Sequence, residues 1–184
     1  MIREAMPEDV PAMLEIYRPY VAETAYTFEY EVPSLEEFSG RFRAVTAAFP
    51  WLVWEENGEV LGYCYGAKAF ERAAYQWAAD LSIYLRLDCR GRGVGRRLYA
   101  ALEQCLTRQG YRLAYGLVTT ENTGSCGFHR AMGYRAAAEL PQCGWKFGGW
   151  YSVTWFEKRL NEQDPAQPPV SWDRVQHEFD FMGA

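Results

Sequence analysis

The sequence contains none of the tracts that mark membrane, secreted or metal-binding proteins. No apolar run approaches the length of a membrane-spanning helix or of a signal peptide's apolar core. The five cysteines are an odd number without Cys-x-x-Cys spacing, which argues against a disulfide framework and against a zinc site. We therefore expect a soluble cytoplasmic protein with reduced thiols, no membrane segment and no metal.

Positive charge is scarce and unevenly distributed. The chain has 19 lysines and arginines against 24 aspartates and glutamates, which gives a net charge of -5. Between residues 86 and 97 five arginines cluster with Asp88 as the only acidic residue among them: Arg86, Arg90, Arg92, Arg96 and Arg97. Nucleic-acid binding needs a basic stripe, so a single basic loop argues against nucleic acid as a partner and suits one small polyanion.

One domain and a tail account for the length of the chain. The 184 residues suffice for one α/β domain with a full core, and 49% hydrophobic residues are typical of a globular chain. After Leu160, polar residues and prolines form a linker. Three aromatic residues beyond it predict that this segment docks on the body or on a neighbouring subunit: Trp172, Phe179 and Phe181. We therefore expect a domain over residues 1–160 and an acidic tail over residues 161–184.

Residues 80–98 predict a strand, a loop and a helix in succession. Leu81, Ile83 and Leu85 alternate with more polar residues, which is the two-residue period of a strand. From Val94 onward the apolar residues recur at helical spacing. The chain therefore turns at residues 88–93.

This turn contains three alternating glycines, Gly91, Gly93 and Gly95. A ligand can approach the main chain closely there, and the loop's N–H groups join the unpaired donors of the following helix's first turn. With the surrounding arginines, the pattern predicts a cradle for a phosphate or pyrophosphate. Arg96 stands where a Rossmann fingerprint needs glycine, and the Gly-Lys-Ser/Thr of a P-loop is absent. On glycine spacing alone, a solvated glycine-rich turn is an equally good interpretation.

Further helices are predicted from their end signals. Pro19 should end or kink the first helix of the chain. A capping box at residues 34–37 begins the second. Asn122, Ser125 and His129 are spaced by three and four residues, which puts them on one face of a short helix.

Further strands are predicted from alternation and turn residues. Asn57-Gly58 is a strong hairpin signal between two apolar runs. Gly148 and Gly149 should weaken or bulge the last strand. The predicted strands cover residues 1–5, 51–54, 60–65, 113–118, 136–143 and 147–158, and residues 24–31 also alternate like a strand.

Six motifs resemble one family in the same order along residues 1–160. Arg90-Gly-Arg-Gly93-Val-Gly95 after a strand resembles the Arg/Gln-x-x-Gly-x-Gly/Ala acyl-CoA signature of the GNAT N-acetyltransferases. The others resemble its phosphinothricin acetyltransferase branch: Arg72-Ala-Ala-Tyr75-Gln-Trp77, Asp80-Leu-Ser-Ile-Tyr84, Asn122-x-x-Ser125-x-x-x-His129 with Gly133-Tyr134, and Lys146-Phe-Gly148-x-Trp150.

The resemblance implies an α/β fold of the GNAT type. A central mixed and mostly antiparallel sheet would be flanked by about four helices and splayed at the CoA site. The implied reaction is direct attack of a small amino-acid-like amine, of the phosphinothricin, methionine sulfoximine or methionine sulfone type, on the thioester of acetyl-CoA as co-substrate. Alternatives are a peptide N-terminus or a polyamine as acceptor, or a non-catalytic acyl-CoA-binding module.

The same resemblance implies the residues that bind the cofactor. The strand would offer main-chain groups, and the loop and following helices would offer N–H groups and side chains. The residues concerned are Ile83, Tyr84, Leu85, Arg90, Gly91, Arg92, Gly93, Val94, Gly95, Arg96, Asn122 and Ser125. For Asn122 a simple helix cap is the alternative.

Two residues are the catalytic candidates that the resemblance implies. Asp80 stands where the branch has a glutamate, so it is the candidate base, directly or through water; the alternative is an aspartate that caps a turn. His129 would protonate the leaving thiolate or hold the acceptor's acid group; the alternative is a packed histidine.

Acceptor binding is assigned to a polar loop and its surroundings. The Arg72 guanidinium has the bidentate geometry that a substrate carboxylate needs, and a surface salt bridge is the alternative. The other candidates are Tyr26, Phe28, Glu29, Tyr75 and Lys146, of which Phe28 is as well explained by packing. The aromatic residues near the C-terminal strands predict a homodimer interface, with core packing as the alternative: Trp145, Phe147, Trp150, Trp155 and Phe156.

Overall fold

The computed structural model describes residues 1–162, 164 and 167–181. Within them lie seven strands, four α-helices and several short 3-10 turns. The strands are β1 (Ile2–Glu4), β2 (Trp51–Glu56), β3 (Glu59–Lys68), β4 (Ala78–Leu85), β5 (Leu113–Thr119), β6 (Arg135–Lys146) and β7 (Gly149–Arg159). The helices are α1 (Val10–Glu23), α2 (Leu35–Thr46), α3 (Val94–Gln109) and α4 (Thr123–Ala131). None of the helices in this part of the chain is long and apolar enough to cross a membrane.

The strands form one mixed sheet in the order β1-β2-β3-β4-β5-β7-β6. Every neighbouring pair is antiparallel except β4 and β5, which run parallel. Helices lie on both faces of this sheet. The predicted α/β fold class, mostly antiparallel with flanking helices, is confirmed.

The two faces of the sheet have separate cores. On one face α1 and α2 pack on the central strands, where Phe38 meets Trp51 at a ring distance of 6.1 Å. On the other face α3 buries Leu98 and Leu102 completely. Because full burial of one such side chain contributes about 1.5–3 kcal/mol, α3 is firmly held and its N-terminus is a fixed platform.

The sheet opens into a fork between β4 and β5. The two strands pair at only three positions, of which Asp80 opposite Tyr115 is the last. Beyond this point β4 continues to Leu85 and β5 to Thr119 without pairing to each other. The splay that the resemblance implied is therefore present, and Asp80 stands at its base.

Two expectations about the first part of the chain are corrected. Pro19 does not end α1, which runs on to Glu23 because Tyr20 and Val21 are buried against the sheet, and packing overrides the local preference. Residues 24–31 form a loop instead of a strand. The loop is held by contacts with other elements, since the Thr119 hydroxyl donates to the Ala25 carbonyl at 2.7 Å and Phe28 packs at Gly144.

The last hairpin turns later than predicted. Phe147 and Gly148 have positive φ angles of 48° and 75° and form the turn itself, so that β6 extends to Lys146 and β7 begins at Gly149. The register shifts lie in β6 instead, between Ala136 and Ala138 and again further along the strand. The glycine pair therefore marks a turn and not a bulge.

Candidate active site

The free edge of β4 faces the fork. The N–H of Arg86 donates to the carbonyl of Leu61 on the β3 side, at 2.9 Å. Because bonded and non-bonded pairs alternate along an antiparallel ladder, the main-chain groups of Ile83 and Leu85 point the other way, towards β5. Since β5 has already diverged there, the N–H and C=O of Ile83 have no strand partner. This edge is open to an extended ligand.

A cleft of about 520 Å³ lies between this edge and the N-termini of α3 and α4. Nine of the predicted cofactor residues line it: Ile83, Leu85, Arg90, Gly91, Gly93, Gly95, Arg96, Asn122 and Ser125. The structure therefore brings the start of α4 to the strand edge and the glycine-rich loop, which lie about thirty residues earlier in the sequence.

The glycine-rich loop has the geometry of an anion cradle. Gly91 and Gly93 have φ angles of 77° and 81°, which side-chain-bearing residues rarely adopt, and both positions lie open to the cleft. In the described part of the chain, the main-chain N–H groups of residues 91–96 have no hydrogen-bond acceptor. These donors at the N-terminus of α3 fit a pyrophosphate group.

The arginines are less available than the sequence suggested. Arg92 pairs with Glu56 at 2.7 Å. Arg86 pairs with Asp88 at 2.8 Å and with Glu59 at 3.1 Å. The expectation that only one acidic residue opposes the cluster is wrong, because the β2–β3 hairpin brings two more glutamates to it.

Three predicted cofactor residues do not line this cleft. Besides Arg92, these are Val94, which is buried in the α3 core, and Tyr84, whose ring packs on Tyr17 and Tyr20 at 4.8 and 5.2 Å. Arg90 and Arg96 are the predicted arginines that reach it in the described chain. Main-chain donors rather than a ring of guanidinium groups thus dominate the cradle.

A smaller cavity of about 70 Å³ continues from the cleft through the fork. Four residues line both spaces: Tyr20, Ile83, Asn122 and Ser125. Leu81 and Ile83 point to the α3 face, whereas Ser82 and Tyr84 point to the α1 face, so the cavity joins the two faces of the sheet. A ligand in the cleft can therefore be reached from the opposite face.

Asp80 has an unusual carboxyl group at the base of the fork. Its Oδ1 atom is enclosed and has no hydrogen-bond partner in the described chain. Burial raises the pKa of Asp80 to about 7, and the hydrogen bond from the main-chain N–H of Leu81 offsets part of this rise. At neutral pH the group is poised between its two protonation states, as a general base should be.

His129 is enclosed rather than free. It is 3% exposed, and its Nδ1 donates to the Ser125 carbonyl at 2.9 Å. This fixes Nε2 as the acceptor of the Tyr99 hydroxyl at 3.0 Å. Burial lowers the pKa of His129, so the ring is neutral at pH 7. The ring lines the small cavity, but its one proton is committed to a carbonyl, which does not support proton donation to a thiolate.

Asn122 and Ser125 have structural partners as well as positions at the fork. The Asn122 side chain caps α4 by accepting the N–H of Ser125 at 3.1 Å, so the helix-cap interpretation is correct. Asn122 also lines both the cleft and the small cavity. A capping role and a ligand contact are thus compatible in this residue.

Tyr20 is a site residue that the sequence analysis missed. Its hydroxyl donates to the Leu85 carbonyl at 2.6 Å and accepts from the Leu85 N–H at 3.3 Å. Arg90 also donates to it at 3.2 Å. Tyr20 therefore covers the outer end of the β4 edge and leaves Ile83 as its open part. In the sequence Tyr20 follows Tyr17 at helical spacing, a pattern that indicates packing and not a site residue.

Two acceptor candidates on the α1–α2 loop and one at the end of β6 differ in whether they line a cavity. Tyr26 lines the small cavity. Phe28 packs on β6 at Gly144, in agreement with the packing interpretation. Lys146 is buried, and its Nζ donates to the carbonyls of Val21 and Thr27 at 2.7 and 2.9 Å. Lys146 therefore holds this loop in place rather than lining a cavity.

Glu29 is fully engaged away from the fork. Its carboxylate accepts two hydrogen bonds from Arg41, at 2.6 and 3.0 Å, and one from Tyr17 at 2.9 Å. It lines a separate cavity of about 50 Å³. This carboxylate is paired and is therefore a poor candidate for a substrate contact or a base.

Arg72 and Tyr75 lie on the exposed loop between β3 and β4. Tyr75 packs on Phe70 at a ring distance of 4.9 Å, and Phe70 in turn stacks on Trp155 of β7. Within the described residues the Arg72 side chain makes no ion pair, so the salt-bridge alternative has no support there. Neither residue lines the two spaces at the fork.

The chain matches known proteins over most of its length. A family model described as acetyltransferase (GNAT) domain matches residues 2–155. A phosphinothricin N-acetyltransferase of Alcaligenes faecalis is 32% identical over 91% of this chain and 86% of that protein. An L-methionine sulfoximine/L-methionine sulfone acetyltransferase of Pseudomonas paraeruginosa is 33% identical over 87% of this chain and 94% of that protein.

A solved structure agrees with this match and carries a ligand. It is a GNAT superfamily phosphinothricin acetyltransferase from Sinorhizobium meliloti in complex with AcCoA, with a TM-score of 0.86 and 28% identity over 94% of this chain and 97% of that one. The open β4 edge, the cradle and the cleft of this chain fit the same cofactor. The chain therefore belongs to the GNAT acetyltransferase family and is an N-acetyltransferase that uses acetyl-CoA.

Proposed function

We propose that the amine acceptor is a small amino-acid-like molecule of the phosphinothricin, methionine sulfoximine or methionine sulfone type. The observation that carries the proposal is the cavity through the fork, since it lets an amine on the α1 face reach a thioester in the cleft on the α3 face. The two relatives named above support this acceptor class by their names.

The chain's own groups would hold the cofactor at the fork. Acetyl-CoA supplies an activated acetyl thioester. The N–H groups of residues 91–96 bind the pyrophosphate, and the open C=O of Ile83 accepts a hydrogen bond from an amide group of the arm. The amide group of Asn122 is a further donor from the opposite wall. The main-chain N–H of Ile83 is also the donor that is free to stabilise a developing negative charge on the carbonyl oxygen.

Asp80 would accept the proton of the attacking amine, directly or through a water molecule. A carboxylate with its pKa near 7 accepts a proton more readily than one near its ordinary value. His129 would act by positioning, because its neutral ring ties α4 to α3 through Ser125 and Tyr99 beside the small cavity.

We predict that Arg72→Ala raises the acceptor KM by roughly ten- to a hundredfold, because loss of one charge-assisted contact to the acceptor carboxylate costs about 1.5–3 kcal/mol. The KM for acetyl-CoA should stay unchanged, since Arg72 lies outside the cleft. Arg43→Ala is the matched control, because it removes an exposed arginine of α2. Equal rises of both KM values in Arg72→Ala would contradict the assignment.

Release of the CoA thiol with a panel of acceptors tests the function itself. Turnover should be fastest with phosphinothricin, methionine sulfoximine or methionine sulfone. Turnover confined to a polyamine or a peptide N-terminus would replace the acceptor class. Tight acetyl-CoA binding without thiol release on any amine would instead indicate a non-catalytic acyl-CoA-binding module.

We also propose that the protein forms a homodimer, that it is cytoplasmic and that it does not bind nucleic acid. Trp145, Phe147 and Trp150 form an exposed aromatic patch on the β6–β7 hairpin, and patches of this kind mark protein interfaces. Trp155 and Phe156 do not belong to it, because the first stacks on Phe70 and the second is buried. Light scattering after size-exclusion chromatography measures the molar mass of the protein in solution. The mass of a monomer at high concentration would contradict the homodimer.

A further inference from the structure

The C-terminal tail packs on the body of the domain. It lies beyond residues 2–155, which the family model covers. Trp172 and Val175 are 4% and 6% exposed, and Phe179 and Phe181 pack against the same core. The tail is therefore an integral part of the α3 face.

Hydrogen bonds hold the tail at two sites near the end of α3. Val170 donates its N–H to the Gln109 carbonyl at 2.8 Å, and the Gln109 side chain donates to the Val170 carbonyl at 2.9 Å. The N–H of Trp172 donates to the Ala48 carbonyl at 3.1 Å. These bonds attach residues 170–172 of the tail to the body.

One contact connects this anchored tail to the fork. The indole N–H of Trp77 donates to the Gln167 carbonyl at 2.7 Å. Trp77 stands directly before β4, and its own carbonyl accepts the N–H groups of Arg112 and Leu113 at 2.9 and 3.2 Å. Trp77 thus joins the tail to the point where β4 and β5 begin to pair.

Trp77 also ends the loop that carries Arg72. At the other side of this loop, Phe70 stacks on Trp155 at a ring distance of 5.8 Å. Arg72 lies between these two attachment points, and residues 71–76 are exposed. The conformation of the loop therefore depends on Phe70 at one end and on Trp77 at the other.

We propose that Trp77 is a positioning residue for the acceptor, and that the tail acts through it as a strap. The Gln167 carbonyl fixes the Trp77 indole, which in turn fixes the end of the loop that presents Arg72. This inference rests on the proposed function, because it assigns the loop to acceptor binding. It gives a catalytic purpose to a segment outside the family domain.

Trp77→Phe tests the proposal, because it keeps an aromatic ring and removes the indole N–H, together with the second ring of the indole. The loss of one hydrogen bond corresponds to about three- to tenfold, which should appear as a higher acceptor KM. The kcat and the KM for acetyl-CoA should stay at parental values. Trp54→Phe is the matched control, since the Trp54 indole also donates one hydrogen bond, to Glu56 at 3.0 Å, and lies away from the loop.

A double-mutant cycle with Arg72→Ala separates the strap from the proposed function. If the strap acts by positioning Arg72, adding Trp77→Phe to Arg72→Ala should leave the acceptor KM of the single Arg72 variant unchanged. A parental acceptor KM in Trp77→Phe, while Arg72→Ala raises it, would overturn the strap alone. Equal rises in the KM of both substrates in Trp77→Phe would also overturn the strap. So would a rise of about three- to tenfold in the acceptor KM when Trp77→Phe is added to Arg72→Ala. A parental acceptor KM in Arg72→Ala would overturn the assignment of the loop and the strap together.

Discussion

Asp80→Asn is expected to lower kcat/KM by about 10²- to 10⁴-fold at pH 7, which is the usual value of general-base assistance. The amide cannot accept the proton of the acceptor's ammonium group. Since rising pH deprotonates the amine without help, the deficit should shrink in alkaline solution. Initial rates of thiol release across the pH range measure this effect.

The parent enzyme should also show the titration of Asp80 itself. Because burial raises the pKa of Asp80 to about 7, kcat/KM should fall as pH drops below that value. This limb should be absent in Asp80→Asn. Near-parental activity of the variant at pH 7, with the same pH dependence, would show that Asp80 is not the base. Asp173→Asn makes the same chemical change at an exposed position and serves as control.

The pH dependence of the melting temperature distinguishes the loss of a general base from damage to the fold. The pKa of Asp80 is higher in the folded chain than the value of about 3.9 for an unfolded one, so the folded state binds this proton more tightly. Charging the group therefore costs stability as pH rises from about 4 to about 7. Asp80→Asn lacks this cost, and its melting temperature should rise relative to the parent over the same interval.

Gly93→Val is expected to weaken acetyl-CoA binding by about a hundredfold, which equals the loss of roughly two charge-assisted hydrogen bonds. A side chain at this position projects into open space in the cleft, where the pyrophosphate approaches the N–H groups of residues 91–96. Titration calorimetry with acetyl-CoA measures the change.

The hairpin glycine provides a matched control for backbone strain. Gly58 has the same φ of 81°, and a side chain there also meets nothing within 4 Å, but it does not line the cleft. Both valine variants should therefore lose similar stability, about 1–3 kcal/mol, because each forces an unfavourable conformation. Acetyl-CoA affinity should fall in Gly93→Val alone. Equal affinity in the two variants would contradict the position of the cradle.

Local sequence patterns predicted the elements of this fold well. The apolar periodicity from Val94 onward predicts a helix, and α3 begins at Val94 and runs to Gln109. The Asn57-Gly58 hairpin and the capping box of Ser34 and Glu37 are also present. Such signals act within a few residues, so a single sequence contains all that is needed to find them.

Partners that are distant in sequence were not predictable in this way. The glutamates that pair with Arg86 and Arg92 come from the β2–β3 hairpin, and Tyr20 reaches Leu85 across the fold. The enclosed hydrogen bonds of Lys146 depend on the end of α1 and on the loop after it, more than a hundred residues earlier in the chain. Periodicity reports which face of an element is apolar, but it carries no information on which element covers that face.

The fork divides the catalytic surface into two parts that different segments of the chain control. The cofactor cleft is built from β4, α3 and α4, whereas the loop with Arg72 and the loop after α1 lie outside it. Substitutions at well-separated sites usually have additive effects. If these loops bind the acceptor, as proposed, new acceptor preferences can evolve in them without changing the affinity for acetyl-CoA, and a directed-evolution library for new acceptors should be confined to them.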